Sequence, residues 1–163
     1  MPSFIRKSNR LKDYDYSQSG AYFITICTLN KQKILWEDNG WRPTNQEDLP
    51  PLSRIGMCVN DAIRNIPRFY PNVTIEKHSV LPNHLHMILV IWVDYKNLSR
   101  TVSVSTIIKQ FKGYVSKTIG NKIFQKSFHD RIIRNDQEAQ NIEAYIDANP
   151  MNWETDPELF GLL

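Results

Sequence analysis

The sequence predicts an α+β sandwich, an antiparallel sheet with helices packed on it. Three observations carry this reading. Segments with strand and helix periodicity follow one another as strand, helix, hairpin, helix, strand, with a further helix at the end. The hydrophobic share, 41% of 163 residues, is enough for one domain with one core, read here as spanning 1–163. No internal repeat, low-complexity tract or linker divides the sequence.

The elements can be taken in chain order. AYFITICTLN, residues 21–30, is rich in aromatic and β-branched residues and reads as the first strand. LSRIGMCVNDAIRNIPRFY reads as a helix: Ile55, Val59, Ile63 and Ile66 recur at helical spacing, and Ser53 is placed to cap it. NVTIEKHSV, residues 72–80, alternates as a strand. A turn at Leu81-Pro82-Asn83 joins it to a second strand from His84 to Val93, forming a hairpin. VSVSTIIKQFKGYVSKTIG, residues 102–120, is an amphipathic helix with Ile107, Phe111 and Val115 on one side and Gly120 at its end. SFHDRIIR, residues 127–134, is a short strand. DQEAQNIEAYIDANP, residues 136–150, is a third helix with acids in its first turn, stopped by Pro150. This order matches a ferredoxin-like or RRM-like sandwich with helices on one face and an extra C-terminal helix. EDNGWRPTNQEDLPPLS is the loosest stretch and reads as a long loop within the domain.

Composition narrows the function classes. Cys27 and Cys58 match no zinc or disulfide framework. The first residues lack the apolar core of a cleavable signal, and no apolar run is long enough to span a membrane. The expected setting is therefore cytoplasmic and reducing, with no membrane partner. The net charge of +3 is small but unevenly spread. From Lys109 to Arg134, seven positive residues face the single acid Asp130, and the N-terminus adds Arg6, Lys7, Arg10 and Lys12. Such a segment can neutralise phosphates, or it can be an ordinary solvated face. Lys109, Lys112 and Lys117 recur near one helical face and are candidates to line a DNA path. Arg131 and Arg134 are candidate phosphate ligands.

The sharpest chemical signal is LPNHLHMILV. Side chains alternate along a strand, so His84 and His86 share a face with Ile88 and Val90, while Leu85, Met87, Leu89 and Ile91 point to the core. Two imidazoles side by side can converge on one cation, although a satisfied core or surface histidine is the plainer alternative. Two ligands do not complete a catalytic metal site. On the third helix Tyr145 and Asn149 are four residues apart and lie one turn apart on one face. Each is ordinary alone: a boundary tyrosine with a wet hydroxyl, and an Asn near a helix end.

Together these residues resemble a known family. His84-Leu85-His86 has the His-hydrophobic-His pattern of the HUH endonucleases, and AYIDANP resembles the catalytic-tyrosine helix of their single-tyrosine transposases. The resemblance is closest to the REP-associated tyrosine transposases. It runs in order through YDYSQSGAYFITICT, YPNVTIEKHSVLPNHLHMILV, FKGYVSK, FHDRIIRN and YIDANPMNWETD, nearly the whole chain. The resemblance implies that His84 and His86 are metal ligands, that Asn149 stands where the family carries a third polar ligand, and that Tyr145 is the nucleophile. It implies a Mg²⁺ or Mn²⁺ ion and cleavage of single-stranded or hairpin-flanking DNA through a 5′-phosphotyrosine. Some branches carry Gln in place of Asn149, which is shorter. Imidazole ligands lean the expectation towards Mn²⁺. Relatives in insertion sequences act as homodimers, while REP-associated relatives need not. Tyr114, between Lys112 and Lys117, is a competing nucleophile, and Asp130 the extra acid expected near the site. A non-catalytic DNA-binding protein on the same scaffold and a metal phosphodiesterase are the alternative readings.

Overall fold

A computed structural model of the protein describes residues 20–38, 40–92 and 102–157. The N-terminal basic residues, Tyr14, Tyr16 and Val93 lie outside them. The element order is β1 (Gly20–Cys27), α1 (Arg54–Phe69), β2 (Val73–Val80), β3 (His84–Ile91), α2 (Val104–Ile119), β4 (His129–Ile133) and α3 (Asp136–Asn152), with single 3₁₀ turns at Leu29–Lys31 and Trp153–Thr155. The four strands form one antiparallel sheet in the order β2-β3-β1-β4, the ferredoxin-like topology the sequence pointed to.

Alternation divides the sheet cleanly. Tyr22, Ile24 and Ile26 of β1 and Leu85, Met87, Leu89 and Ile91 of β3 meet α1 and α2 in the main core. α1 contributes Val59, Ile63 and Ile66, and α2 contributes Ile107, Ile108, Phe111 and Val115. Phe23 and Ile88 point the other way and pack under Ile142 and Ile146 of α3. The result is three layers, and among the described residues α3 is the helix on the second face.

The helix ends follow local chemistry. Ser53 Oγ accepts from Gly56 N at 3.0 Å, and Ser103 Oγ accepts from Thr106 N at 3.2 Å. Asn135 Oδ1 accepts from Glu138 N at 2.8 Å, while Glu138 Oε2 reaches back to Arg134 N at 2.9 Å. Gly120 ends α2 in the left-handed region at φ 90°. Gly56 is needed for another reason: a Cβ there would lie 1.9 Å from the Leu35 carbonyl oxygen.

Several expected boundaries move by up to a few residues, two of them for a plain local reason. The first strand stops at Cys27 rather than residue 30, because Asn30 and Lys31 take positive φ of 53° and 54° in the turn that follows. α3 runs through Pro150 to Asn152. Proline's φ is itself helical, and its missing N–H costs only one bond near a helix end.

Candidate metal centre and tyrosine

The site is built on the second sheet face. Register sets His86 and His129 on either side of Thr25, and Ile88 and Arg131 on either side of Phe23. His84 opposes Cys27 at the end of the same row pattern. Both histidines are fully buried. Their Nδ1 atoms are held by the scaffold: His84 Nδ1 lies 2.7 Å from Asn83 Oδ1, and His86 Nδ1 lies 2.8 Å from Thr25 Oγ1. Holding Nδ1 in this way fixes the ring and aims Nε2, as the outer partners of metal-bound histidines do.

Both Nε2 atoms converge on one oxygen. Asp156 Oδ2 lies 2.6 Å from His84 Nε2 and 2.7 Å from His86 Nε2, and it accepts from Asn149 Nδ2 at 3.0 Å. The three ligand-type atoms of His84, His86 and Asp156 lie within 4.8 Å of one another. Burial favours the neutral form of His86 and pushes its pKa down to about 4, against the pull of Asp156. Burial would raise Asp156, but hydrogen bonds from the two imidazoles outweigh it and hold the carboxyl well below the usual range.

Two polar atoms at this site are buried without a hydrogen-bond partner among the described residues: Asn149 Oδ1 and Tyr145 Oη. The tyrosine hydroxyl is therefore not the wet tip of a boundary residue. The Tyr145 ring lies 5.5 Å from the His86 ring and edge-on to Phe23 at 6.0 Å. A cavity of about 200 Å³ opens beside Tyr145, Asn149, Asn152 and Asp156. The donor set fits a divalent cation. Two imidazoles, one carboxylate and an orphaned amide oxygen suit Mn²⁺, and the two oxygens bring Mg²⁺ closer than histidines alone would. His84, His86, Tyr145, Asn149 and Asp156 all come from one chain.

Asp156 is the residue that sequence reasoning missed. Asp130 had been the expected acid, but it pairs in register with Ile24 and so points to the α1 and α2 side. Asp156 lies past the end of α3, in extended backbone after the 3₁₀ turn Trp153–Thr155. Reading Pro150 as a stop concealed it. The basic candidates separate. Arg131 lies on the site's face, its Cζ 5.6 Å from the Phe23 ring, and Arg134 follows it, exposed, at the strand end. Lys109, Lys112 and Lys117 lie on α2, across the sheet from the histidines. Lys112 Nζ donates to the carbonyls of Gln125, Lys126 and Ser127 at 2.7, 3.3 and 3.2 Å. Tyr114 also lies on α2, exposed and beside Phe69, and the structure does not bring it to the histidines.

Comparison with known proteins agrees with the fold. No protein-family model matches the chain. A protein of Haemophilus influenzae described as uncharacterized is 32% identical over 171 aligned positions, covering 93% of this chain and 91% of that one. Among solved structures, a REP-associated tyrosine transposase bound to a REP hairpin aligns with a TM-score of 0.61 at 19% identity, over 94% of this chain and 76% of that one. A structure described as a candidate transposase from Deinococcus radiodurans aligns with a TM-score of 0.50 at 15% identity, over 85% of this chain and 95% of that one. Among the described residues no helix is long and apolar enough to cross a membrane. The chain thus belongs to one family with the Haemophilus influenzae protein, and it has the fold of the REP-associated tyrosine transposases.

Proposed function

We propose that this protein is a divalent-metal-dependent transposase that cuts and rejoins single-stranded DNA beside a hairpin, with Tyr145 as nucleophile. The observation that carries the reading is the buried, unpartnered Tyr145 hydroxyl next to His86, on the helix that also presents Asn149 to the His84, His86 and Asp156 cluster. A buried hydroxyl without a partner costs stability, about 1–3 kcal/mol, and is expected where a substrate supplies the partner. His84, His86, Asn149 and Asp156 would hold the ion, which would supply Lewis-acid polarisation of a phosphoryl oxygen and offset the charge that builds in the transition state.

Tyr145 Oη then attacks phosphorus, and the bond to the 3′-oxygen breaks. The phenol proton passes to solvent and the departing 3′-oxygen takes one up, leaving a 5′-phosphotyrosine and a 3′-hydroxyl. Phenolate is a tolerable leaving group, so the step can run backwards and rejoin strands. Phe23 and His86 fix the tyrosine ring, and α3 fixes its hydroxyl relative to Asn149, which converts attack into an oriented intramolecular event. Arg131 on β4 and Arg134 just past its end are assigned to the cleaved DNA strand. Exposed Lys109 and Lys117, on the far side of the sheet, would contact DNA only outside the scissile region. The hairpin in the similar solved complex supports hairpin DNA as partner here.

The test is a covalent-adduct assay. End-labelled hairpin oligonucleotides from the DNA flanking the gene are incubated with protein and Mn²⁺ and resolved on denaturing gels. A protein–DNA band that needs metal and is lost in Tyr145→Phe but kept in Tyr114→Phe is the expected result. A second reading, a DNA-binding protein that does not cleave, is favoured by one contact: Asp156 already satisfies both Nε2 atoms. It predicts hairpin binding in chelator and no band in any condition.

A further inference from the structure

Three of the four tryptophans in the chain meet in one surface cleft next to the metal centre. The cleft holds about 220 Å³ and lies between the loop after β1 and the turn that carries Trp153. Trp36 is its floor. Its ring is 5.2 Å from Trp41 at 82° and 6.2 Å from Trp153 at 63°. The floor is fixed, because Trp36 Nε1 donates to the Val80 carbonyl at 2.8 Å, just before the turn that leads into His84. Pro82 of that turn lines the cleft. Trp153 stands three residues before Asp156 in the chain, so cleft and candidate metal centre share the same short turn.

Each indole is only half-buried, although packing alone would favour full burial of such large apolar rings. Lys33 Nζ sits 5.2 Å from the Trp153 ring, so the cation that a tryptophan face attracts there comes from the protein itself. The rim carries both signs, Lys33 and Arg42 against Glu37, Asp38 and Glu154. Such a rim does not select an anion. It suits a flat group with an apolar face and polar edges.

We infer that this tryptophan cleft is a stacking subsite for one unpaired nucleobase of the DNA strand that enters the Tyr145 site. The inference rests on the proposed function, since it supplies the strand. Base–aromatic stacking tolerates any base, and loss of one stacked base weakens binding by about tenfold.

The test measures binding in chelator, which separates it from cleavage. Fluorescein-labelled hairpin oligonucleotides with an eight-nucleotide single-stranded flank are made with one abasic position at a time. Affinity is read by fluorescence polarisation for the parent protein and for Trp41→Ala, which leaves in place both the Trp36 bond to Val80 and Trp153 on the turn before Asp156. One abasic position should weaken the parent about tenfold, and that penalty should vanish in Trp41→Ala while the other positions are unaffected. The inference is overturned if hairpin binding is intact but the abasic profile is the same in both proteins. If the parent binds no hairpin oligonucleotide at all, the inference and the proposed function fall together.

Discussion

Replacing Asp156 by alanine separates a designed ligand cluster from a chance polar contact. The carboxylate is buried and accepts from two imidazoles and one amide, at 2.6, 2.7 and 3.0 Å. Each bond to a charged acceptor contributes roughly 1.5–3 kcal/mol, but the three share one oxygen and cannot be summed. Removing one partner of a buried ionic cluster costs about 3–5 kcal/mol, because the remaining groups stay buried without a counterpart. A domain of this size has about 5–15 kcal/mol in total, so the variant should be folded but clearly weakened. Urea unfolding in chelator reads the difference directly. Mn²⁺ titration by calorimetry reads the second consequence, a loss of affinity of at least about tenfold, since the variant lacks a proposed ligand. A stability loss below about 1 kcal/mol in chelator, or tighter Mn²⁺ binding in the variant, would refute the reasoning.

Three further outcomes follow from the same geometry. Tyr145→Phe removes a buried hydroxyl without a partner, so metal-free stability should hold or rise by about 1 kcal/mol in urea unfolding; a loss of more than that would mean the hydroxyl is bonded. Burial depresses the folded pKa of His86 to about 4 from an ordinary 6.5, so the unfolded chain binds the extra proton first. Metal-free stability should therefore fall as pH drops from 6.5 towards 4, by about 3 kcal/mol in all, with further loss at lower pH as Asp156 protonates. Urea titrations across pH check this, and a flat profile over that window contradicts it. Gly56→Ala would drive a methyl into the Leu35 carbonyl and should cost several kcal/mol, on the order of 3 or more, in thermal unfolding; a normal melting curve would mean α1 can shift freely.

Much of this molecule was legible because its local signals agree. Ser53 and Gly120 mark helix ends where the structure has them. The alternation of β3 divides histidines from core leucines as the structure does. What escaped was carried by tertiary context. Pro150 reads as a helix stop, yet its fixed φ lets α3 continue to Asn152, and Asp156 follows a further 3₁₀ turn to reach the histidines. Asp130 is the acid the sequence points to, and only strand register turns it away from the site. Lys109, Lys112 and Lys117 share a charge pattern with any nucleic-acid-binding helix, but charge does not say which side of the sheet the helix covers. The tryptophan cleft joins residues more than a hundred positions apart, beyond the reach of spacing arguments.

The central claim is that Tyr145 becomes joined to DNA. The most direct measurement is mass spectrometry of the protein after incubation with a hairpin oligonucleotide and Mn²⁺, followed by nuclease trimming and proteolysis. The account predicts that the peptide containing Tyr145 gains the mass of a nucleotide phosphate, only with metal and only with Tyr145 intact. Cleaved DNA with an unmodified Tyr145 peptide, or the added mass on the peptide containing Tyr114, would contradict it.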